Sequence, residues 1–289
     1  MKKKLSLVVM VVLVVLSVFA IAGCGTKDKE EETVESKDTS LTDIQEKGTL
    51  ILGCDDEFPP MGFVDESGEL VGFDIDLARA VAEQMGVTLE VKPIDWDNKE
   101  MELINGNIDV IWNGYSITAD RNTKVEFTKP YLNNSQLIVV RADSDIKTLK
   151  DLEGKIVGAQ VESAAEDLLE ADEALLSSLK EMRSYDDYQK ALLDLKSSDR
   201  IDAVAVDKIL IEYIMSKEEG TYKVLDESLG DEYFGIGCRK DSVALRTAID
   251  KALDELQEDG KIDTICEKWF DSNIVIRNVN KLTQADLDA

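Results

Sequence analysis

Residues 109–131 carry the strongest chemical signal in the chain. An apolar run over residues 110–112 ends at Asn113-Gly114, and a polar loop leads to Thr118 and, three residues later, Arg121. Polar residues at the carboxyl end of a strand lie where open α/β sheets bind ligands. Thr118 can cap a short helix whose positive end would lie beside the Arg121 guanidinium. The segment predicts a site for a small anion such as a carboxylate, and the alternative is an ordinary solvated surface arginine.

Two further strand ends carry polar residues that would converge with this segment. The first predicted strand ends at Asp55, and the strand over residues 203–206 ends at Asp207. An arginine, an opposed acid and the aromatic walls Phe58 and Trp96 would together hold a free α-amino acid. Such a zwitterion binds in a dry cleft only if both of its charges are met. The ordinary alternative for the two aromatic residues is a place in the core.

Short apolar runs alternate with helical periods from residue 49 onward. The predicted strands are 49–54, 89–94, 108–112, 136–141, 155–160, 181–185, 203–206 and 233–239. The predicted helices are 74–85, 99–105, 163–173, 188–197, 208–215, 242–259 and 262–270. This alternation predicts an α/β fold with parallel sheets and helices on both faces. About 240 ordered residues are too many for one core, so we expect two domains.

The N-terminus is typical of an export signal. Lys2, Lys3 and Lys4 precede an almost wholly apolar stretch over residues 5–22, and Ile21-Ala22-Gly23-Cys24 resembles a bacterial lipobox. We therefore expect residues 1–23 to be removed and Cys24 to be lipidated, which anchors the protein on the extracytoplasmic face of the cell membrane. The alternative is an uncleaved membrane anchor, since the apolar stretch is just long enough to span a bilayer.

A flexible tether is expected over residues 24–44, because Lys, Glu, Asp, Ser and Thr dominate its first part and bury too little surface to fold. The whole chain has 33 basic and 60 acidic residues, a net charge of −27. Removal of residues 1–23 would take three lysines and no acid and bring the charge to −30. This charge argues against nucleic acid as a partner, because phosphate binding needs clustered basic residues.

Cysteine and histidine usage excludes several kinds of site. Cys54, Cys238 and Cys266 remain beside the lipobox cysteine; their spacing matches no metal motif, and buried free thiols are favoured over one disulfide plus a free thiol. The chain has no histidine, which excludes Ser-His and Cys-His nucleophile pairs and the usual zinc ligands. We expect neither a cofactor nor a metal.

Several motifs in order along the chain resemble one bacterial family. They are GCDDEFPPMGFVDESGELVGFDIDLARAVAEQMGV, WNGYSITADRNTKVEFTKPY, LKDLEGKIVGAQ, RIDAVAVD and LDELQEDGKIDTICEKWF. In these residues the chain resembles the polar amino acid-binding proteins of ABC importers, over about residues 48–270. The resemblance implies a periplasmic-binding-protein-like fold of two doubly wound lobes joined by a two-strand hinge.

The resemblance also implies bounds for these parts. Lobe 1 would comprise residues 45–131 and 233–276, and lobe 2 residues 136–228. The hinge would cross near residues 132–135 and 228–232, and residues 277–289 would form a polar C-terminal tail.

The same resemblance implies roles for individual residues. Arg121 matches the family's arginine for the ligand carboxylate, and Asp207 matches the acid for the ligand ammonium. The other matched positions are Asn113, Gly114 and Ser116 in the hydrogen-bonding loop, Phe58 and Trp96 around the ligand side chain, and Asp55 at its far end.

This sequence departs from the family pattern after GAQ. Glu162 stands where the family has a glycine, and Ala164 lacks a hydroxyl, whereas Ser163 can still cap the next helix and donate to the carboxylate. Glu162 with Asp55 and Glu57 would favour a cationic side chain such as that of arginine, lysine or ornithine.

The resemblance implies a function in transport. A polar amino acid would bridge the two lobes, which close and dock on a membrane permease. The alternatives are an enzyme on the same fold, such as a dehydratase of cyclic acids, and a receptor module that reports amino acid levels. With no histidine, an enzyme would need a cleft carboxylate as its general acid, and we expect no enzymatic activity.

Overall fold

The computed structural model describes residues 38–197, 200–270 and 272–287. The expected signal peptide, the lipobox with Cys24 and the first part of the tether lie outside the described residues. Within the described ranges, no helix combines the length and the apolar character that crossing a membrane requires.

Strands and helices alternate along most of the described chain. The strands are β1 (Thr49–Cys54), β2 (Glu57–Phe58), β3 (Gly62–Val64), β4 (Leu70–Val71), β5 (Thr88–Pro93), β6 (Val110–Ile111), β7 (Val125–Phe127), β8 (Leu132–Arg141), β9 (Ile156–Gln160), β10 (Glu181–Tyr185), β11 (Ala203–Asp207), β12 (Tyr222–Phe234) and β13 (Gly237–Arg239). The helices are α1 (Ser40–Lys47), α2 (Phe73–Met85), α3 (Lys99–Ile104), α4 (Ala119–Lys124), α5 (Ala164–Ala171), α6 (Glu173–Ser178), α7 (Tyr188–Ser197), α8 (Lys208–Lys217), α9 (Val243–Glu258), α10 (Lys261–Trp269) and α11 (Gln284–Leu287).

Two five-stranded sheets form the two lobes. The first has the strand order β5-β1-β6-β13-β7, and the second has the order β10-β9-β11-β8-β12. In the first sheet Leu52 pairs with Val110, so the carboxyl ends of β1 and β6 lie side by side. In the second sheet Ala203 pairs with Val157, so the carboxyl ends of β9 and β11 also lie side by side. Each lobe therefore presents two strand ends at one edge of its sheet.

Both sheets are mixed, although the alternation of strands and helices predicted parallel sheets. Strand β13 runs antiparallel to β6 and β7, and β8 runs antiparallel to β11 and β12. These are the strands that follow a crossing between the lobes or make one. A chain that returns from the other lobe enters its sheet from the opposite end, and alternation of helices and strands does not reveal this.

The two long strands β8 and β12 form the hinge. They belong to the second sheet and pair antiparallel as far as Phe234 and Leu132, with Asp231 opposite Ser135 and Glu232 opposite Asn134. The register shifts between Val224 and Gly230, which marks an irregularity where the strands leave the second sheet. The predicted two-strand hinge is confirmed, while the residue bounds of the lobes stay a prediction.

Several predicted elements have other bounds. The expected strand 108–112 is paired only over Val110–Ile111, and the expected strand 233–239 divides between β12 and β13. The expected helix 163–173 ends at Ala171, and the Asp172 carboxylate accepts a hydrogen bond from Leu175 N at 2.9 Å, which caps a separate helix α6. The pattern did not predict the small sheet β2-β3-β4, because strands of two or three residues are too short to show a period.

Residues 40–44, the last part of the expected tether, are helical, because α1 begins at Ser40. Ile44 is 2 % exposed and packs in the core of the domain. Gly48 ends the helix with φ +72°, and its N–H donates to the Ile44 carbonyl. Ile44 alone packs helix α1 against the core, and the polar composition of the segment does not predict this.

The C-terminal segment packs along the first lobe over its described part. Val275 forms a β-bridge with Leu132 at the start of β8. Arg277 is paired with Asp250 at 3.1 Å and with Asp254 at 2.9 Å, and α11 lies against α4. The expected polar tail, residues 277–289, therefore begins with an arginine whose ion pairs attach it to helix α9.

All three described cysteines, Cys54, Cys238 and Cys266, are free and buried. Burial raises the pKa of each thiol above its ordinary value. The expectation of buried free thiols is confirmed, and these cysteines pack as small apolar residues.

Candidate functional site

A cavity with about 260 Å³ of empty space lies where the strand ends of the two lobes face each other. Its lining residues are Asp55, Phe58, Trp96, Asn113, Gly114, Ser116, Arg121, Gln160, Ser163, Ala164, Tyr188 and Asp207. Every ligand-binding residue predicted from the sequence is among them, and their roles toward a ligand stay predictions.

Arg121 is buried in the wall of the first lobe, with 4 % of its surface exposed. Thr118 caps α4 by accepting a hydrogen bond from Arg121 N at 3.2 Å, as predicted. The guanidinium lies 5.0 Å from the centre of the Tyr115 ring, and it donates to the Ser116 carbonyl at 3.3 Å. The alternative of a solvated surface arginine was wrong. The ring and the carbonyl hold the side chain in place for bidentate contact with an anion.

Asp207 is the last residue of β11 and belongs to the opposite wall, where it is 4 % exposed. Its Oδ1 accepts hydrogen bonds from Asn134 Nδ2 at 2.8 Å and from Gln136 Nε2 at 2.6 Å, both on hinge strand β8. The same two amides donate to Glu232 at 2.7 and 2.8 Å. Burial raises the pKa of Asp207, and the negative charge of Glu232 raises it further. None of the described residues places a cation on this pair of carboxylates.

The loop Asn113-Gly114 is held by the backbone of Asp55 and the carboxylate of Asp74. Asn113 Oδ1 accepts a hydrogen bond from Asp55 N at 3.0 Å, and Gly114 N donates to the Asp74 carboxylate at 2.8 Å. The Tyr131 hydroxyl donates to the same Asp74 oxygen at 2.8 Å. Burial raises the pKa of Asp74 to about 7. Sequence analysis missed Asp74, although it begins the predicted helix 74–85 and could have been recognised there as an acid at a mostly apolar helix start.

Gly114 is required by its conformation and by its neighbours. Its φ is +58°, in the left-handed region that favours glycine. A Cβ there would lie 2.9 Å from Phe58 Cε1 and 3.1 Å from Phe234 Cε2. The loop backbone therefore lies so close to Phe58 and Phe234 that only a residue without a Cβ fits there.

The start of α5 supplies the second lobe's hydrogen-bonding groups. Ser163 caps this helix by accepting from Glu166 N at 3.1 Å, as predicted, and is 4 % exposed. Glu162 has φ +55°, so the position where the family has a glycine keeps a glycine-like conformation here. The Glu162 side chain is exposed and lines neither this cavity nor the adjoining one described below, which removes it from the acids expected to select a cationic ligand.

Three hydrogen bonds join the two walls, and Arg121 Nη2 also lies 3.8 Å from Asp167 Oδ2 of the second lobe. Arg121 Nη2 and Lys99 Nζ donate to the Glu162 carbonyl at 2.9 and 3.0 Å, and Gln160 Nε2 donates to Asp55 Oδ2 at 2.6 Å. Burial lowers the pKa of Lys99 to about 8 and raises the pKa of Asp55 to about 6. The lobes are therefore in contact across the site, as in a closed conformation.

A second, larger cavity with about 1020 Å³ of empty space adjoins the first and shares Asp55 and Trp96 with it. Its walls are strongly acidic, and its lining acids are Asp55, Asp56, Glu57, Asp95, Asp97, Asp186 and Asp187. The one lysine of the lining, Lys190, is paired with Asp186 at 2.8 Å and Asp187 at 2.9 Å. Among the described residues, no group of His, Cys, Asp or Glu is arranged to hold a metal ion.

The model of one protein family matches residues 50–272 of this chain, and its description is bacterial extracellular solute-binding proteins, family 3. The chain belongs to this family. The match spans both sheets and both sides of the cavity, so the whole candidate site lies within it. The family confirms the resemblance on which the fold of two lobes was predicted.

Relatives and solved structures within this similarity bind amino acids. The L-cystine-binding protein TcyJ of Escherichia coli (strain K12) is 31 % identical over 262 residues, which cover 90 % of this chain and 94 % of TcyJ. A substrate-binding protein of an ABC uptake transporter from Streptococcus pneumoniae, solved with bound histidine, has a TM-score of 0.79 and 40 % identity. That likeness covers 83 % of this chain and 99 % of the solved one.

One solved neighbour connects the fold with an enzyme. The ancestral amino acid-binding protein AncCDT-1, a precursor of cyclohexadienyl dehydratase, has a TM-score of 0.73 and 31 % identity, over 80 % of this chain and 99 % of its own.

Of the lining residues that sequence analysis missed, Gln160 had a usable signal. It is the last residue of a predicted strand and ends the motif LKDLEGKIVGAQ, so the strand-end argument applied to it as well. Ala164 and Tyr188 had none, because an alanine and the first residue of an amphipathic helix are ordinary core positions.

Proposed function

We propose that this protein binds a polar α-amino acid between its lobes and delivers it to the membrane permease of an ABC importer. The observation that carries the proposal is the opposition of Arg121 and Asp207, both buried, across one small cavity. A free amino acid has a carboxylate for the first and an ammonium for the second. Its binding would supply the cation that buried Asp207 and half-buried Glu232 lack among the described residues.

In this proposal each of the remaining lining residues contacts a different part of the ligand. Asn113, Gly114, Ser116 and Ser163 make hydrogen bonds with its polar groups. Phe58 and Trp96 pack on the two sides of its side chain, and Asp55 meets the side chain's far end. Because one ligand touches both lobes, it shifts an open–closed equilibrium toward the closed form.

We further propose that the ligand's side chain is cationic. Asp55 closes one end of the amino acid cavity, and the larger cavity beyond it is lined by Asp56, Glu57 and further acids. A cleft of one sign of charge concentrates ligands of the opposite sign. Arginine, lysine and ornithine have the length and charge to extend from the Arg121–Asp207 pair toward these acids.

Calorimetry and thermal shift with a panel of amino acids test both proposals. The panel contains arginine, lysine, ornithine, histidine, glutamine and cystine. A ligand at 100 times its Kd raises the free energy of unfolding by about 2.7 kcal/mol. Cystine or glutamine displacing arginine in a radioligand competition would contradict the cationic preference, and a panel without any binding would contradict amino acid binding itself.

Lipidation at Cys24 and attachment to the extracytoplasmic face of the cell membrane belong to the same proposal. Their support is the export signal and lipobox in the sequence. Metabolic labelling with palmitate should mark the wild-type protein in the membrane fraction. The variant Cys24→Ala should take up no label, and labelling of that variant would place the lipid elsewhere.

We propose that the protein is not an enzyme. A dehydratase of cyclic acids is the second candidate, because the chain is similar to a precursor of such an enzyme and has buried acids of raised pKa in its cleft. Prolonged incubation with cyclohexadienyl acids, followed by chromatography, separates the candidates. Substrate turnover that disappears in the variant Asp55→Asn would favour the enzyme.

A further inference from the structure

Tyr188, the first residue of α7, lines the amino acid cavity from the second lobe. The residue is 1 % exposed, and its ring lies 5.9 Å from the ring of Phe58, centre to centre. Its hydroxyl has no hydrogen-bond partner among the described residues. The ring is thus well packed, but the polar atom at its end is left unsatisfied.

A buried hydroxyl without a partner is unfavourable for folding, since it has lost its hydrogen bonds to water. Phenylalanine would pack against Phe58 equally well without this cost. The hydroxyl belongs to a residue that lines the same cavity as Ser163 and Asp207, two ligand-facing groups. Both influence the pKa of Tyr188 as hydrogen-bonding neighbours, and burial raises this pKa well above its ordinary value. Neither meets the distance and angle of a hydrogen bond to the hydroxyl. The hydroxyl is therefore free for a group that enters the cavity.

Asp207 has the complementary arrangement. Both amides that donate to it use Oδ1, and none of the described residues donates to Oδ2. A primary ammonium has three N–H donors, one of which can pair with a carboxylate oxygen while another donates to a hydroxyl.

We propose that the Tyr188 hydroxyl is a ligand contact that accepts an N–H from the α-ammonium group whose charge Asp207 meets. The inference rests on the proposed function and adds a residue to it. It makes Tyr188 a specificity-determining residue for the amino group, because a site built to hydrogen-bond a donor discriminates against a ligand that lacks it. A ligand methylated on its α-nitrogen has fewer donors and should lose affinity.

The variant Tyr188→Phe tests this inference through two effects of opposite sign. The affinity for each amino acid of the panel that binds the wild type, measured by calorimetry, should fall about tenfold. The melting temperature of the ligand-free protein should stay the same or rise, because an unsatisfied hydroxyl is removed. A folding role for the hydroxyl would instead lower the melting temperature.

Tyr185→Phe is the matched control. The Tyr185 hydroxyl donates to Asp194 at 3.0 Å and does not line the amino acid cavity. Its removal should lower the melting temperature and leave the affinity unchanged, which is the reverse of the pattern expected at Tyr188.

The outcomes separate the inference from the proposed function. Unchanged affinity in Tyr188→Phe, with the wild type binding an amino acid, overturns the inference alone. A joint loss of affinity and melting temperature also overturns it, because the hydroxyl would then have a structural partner. If the wild type binds no amino acid of the panel, the proposed function fails and the inference falls with it.

Discussion

The positive and the negative end of the candidate site line the same cavity, but different groups surround them. Arg121 lies on a helix of the first lobe, against the Tyr115 ring and carbonyl oxygens of both lobes. Asp207 lies at the hinge, where it shares two amide donors with a second carboxylate, Glu232. The protein meets the positive charge with carbonyl dipoles, an aromatic face and the Asp167 carboxylate, 3.8 Å away. At the negative end it places two carboxylates together.

This difference indicates which end depends more on the ligand. Carbonyl groups, a ring face and a nearby carboxylate stabilise a guanidinium without a ligand. In contrast, buried Asp207 and half-buried Glu232 repel each other. A ligand ammonium would relieve that repulsion at the hinge, where the lobes rotate. We therefore expect the carboxylate end to anchor the ligand and the ammonium end to couple binding to closure.

Arg121→Ala should have the largest effect on binding. Removal of one partner from a buried ion pair costs about 3–5 kcal/mol, so calorimetry should show an affinity loss of at least 100-fold for the best ligand of the panel. Lys124→Ala on the same helix is the control, because Lys124 is paired with Asp120 on the surface. Tight binding by the Arg121 variant would place the carboxylate site elsewhere.

Asp207→Asn should also weaken binding strongly, yet it should stabilise the ligand-free protein at neutral pH. The folded-state pKa of Asp207 is raised, so its contribution to stability is greatest below the unfolded value of 3.8 and falls as the pH rises toward the folded pKa. The asparagine variant removes this loss. Its melting temperature at pH 8 should exceed that of the wild type, and the difference should shrink toward pH 4.

The pH dependence of binding gives the opposite trend at the same residue. Protonated Asp207 cannot pair with an ammonium, so the affinity of the wild type should rise with pH until the acid is ionised. Asp55 and Asp74, with pKa values of about 6 and about 7, also lower ligand-free stability as the pH rises and remain in the variant. If the affinity of the Asp207→Asn variant depends on pH as strongly as that of the wild type, the pH dependence of binding comes from Asp55 or Asp74 instead.

Gly114→Ala tests the backbone conformation of the first lobe's wall without changing the charge of Arg121. The added Cβ meets Phe58 and Phe234 in a left-handed conformation, and we expect a loss of about 1–3 kcal/mol in stability together with weaker binding. Gly106→Ala is the matched control, since φ is +74° there and nothing lies within 4 Å of the new atom. Equal effects of both variants, by chemical denaturation, would show that strain alone matters.

The smallest expected effect is that of Glu162→Gly, on the loop of the second lobe that contacts Arg121. Glycine removes the cost of the left-handed conformation and keeps the carbonyl, so stability should rise by about 0.5 kcal/mol with unchanged affinity. Glu153→Gly, where φ is −54°, should instead lose about 0.4–1 kcal/mol. A lower affinity of the Glu162→Gly variant for arginine would show that the Glu162 carboxylate does contribute to ligand binding.

Much of the fold was predictable because its signals are local. β1, β10 and α7 have the predicted bounds, since apolar periodicity and turn residues act within one segment. The small sheet β2-β3-β4 and α1 were missed, because very short strands and a helix docked through Ile44 leave no periodic trace. The antiparallel strands were missed because strand direction depends on the crossings between lobes.

For the site, the sequence by itself determined the residue types at the strand ends and, through the family motifs, their order from Asp55 to Asp207. Only the tertiary structure decided which of them share a cavity, because residues from two lobes meet there through a hinge. It also decided the surroundings on which the chemistry depends: Glu232 beside Asp207, Asp74 beneath Gly114, and the free hydroxyl of Tyr188. Charge and periodicity are properties of a segment, whereas desolvation and missing hydrogen bonds arise only when segments pack together.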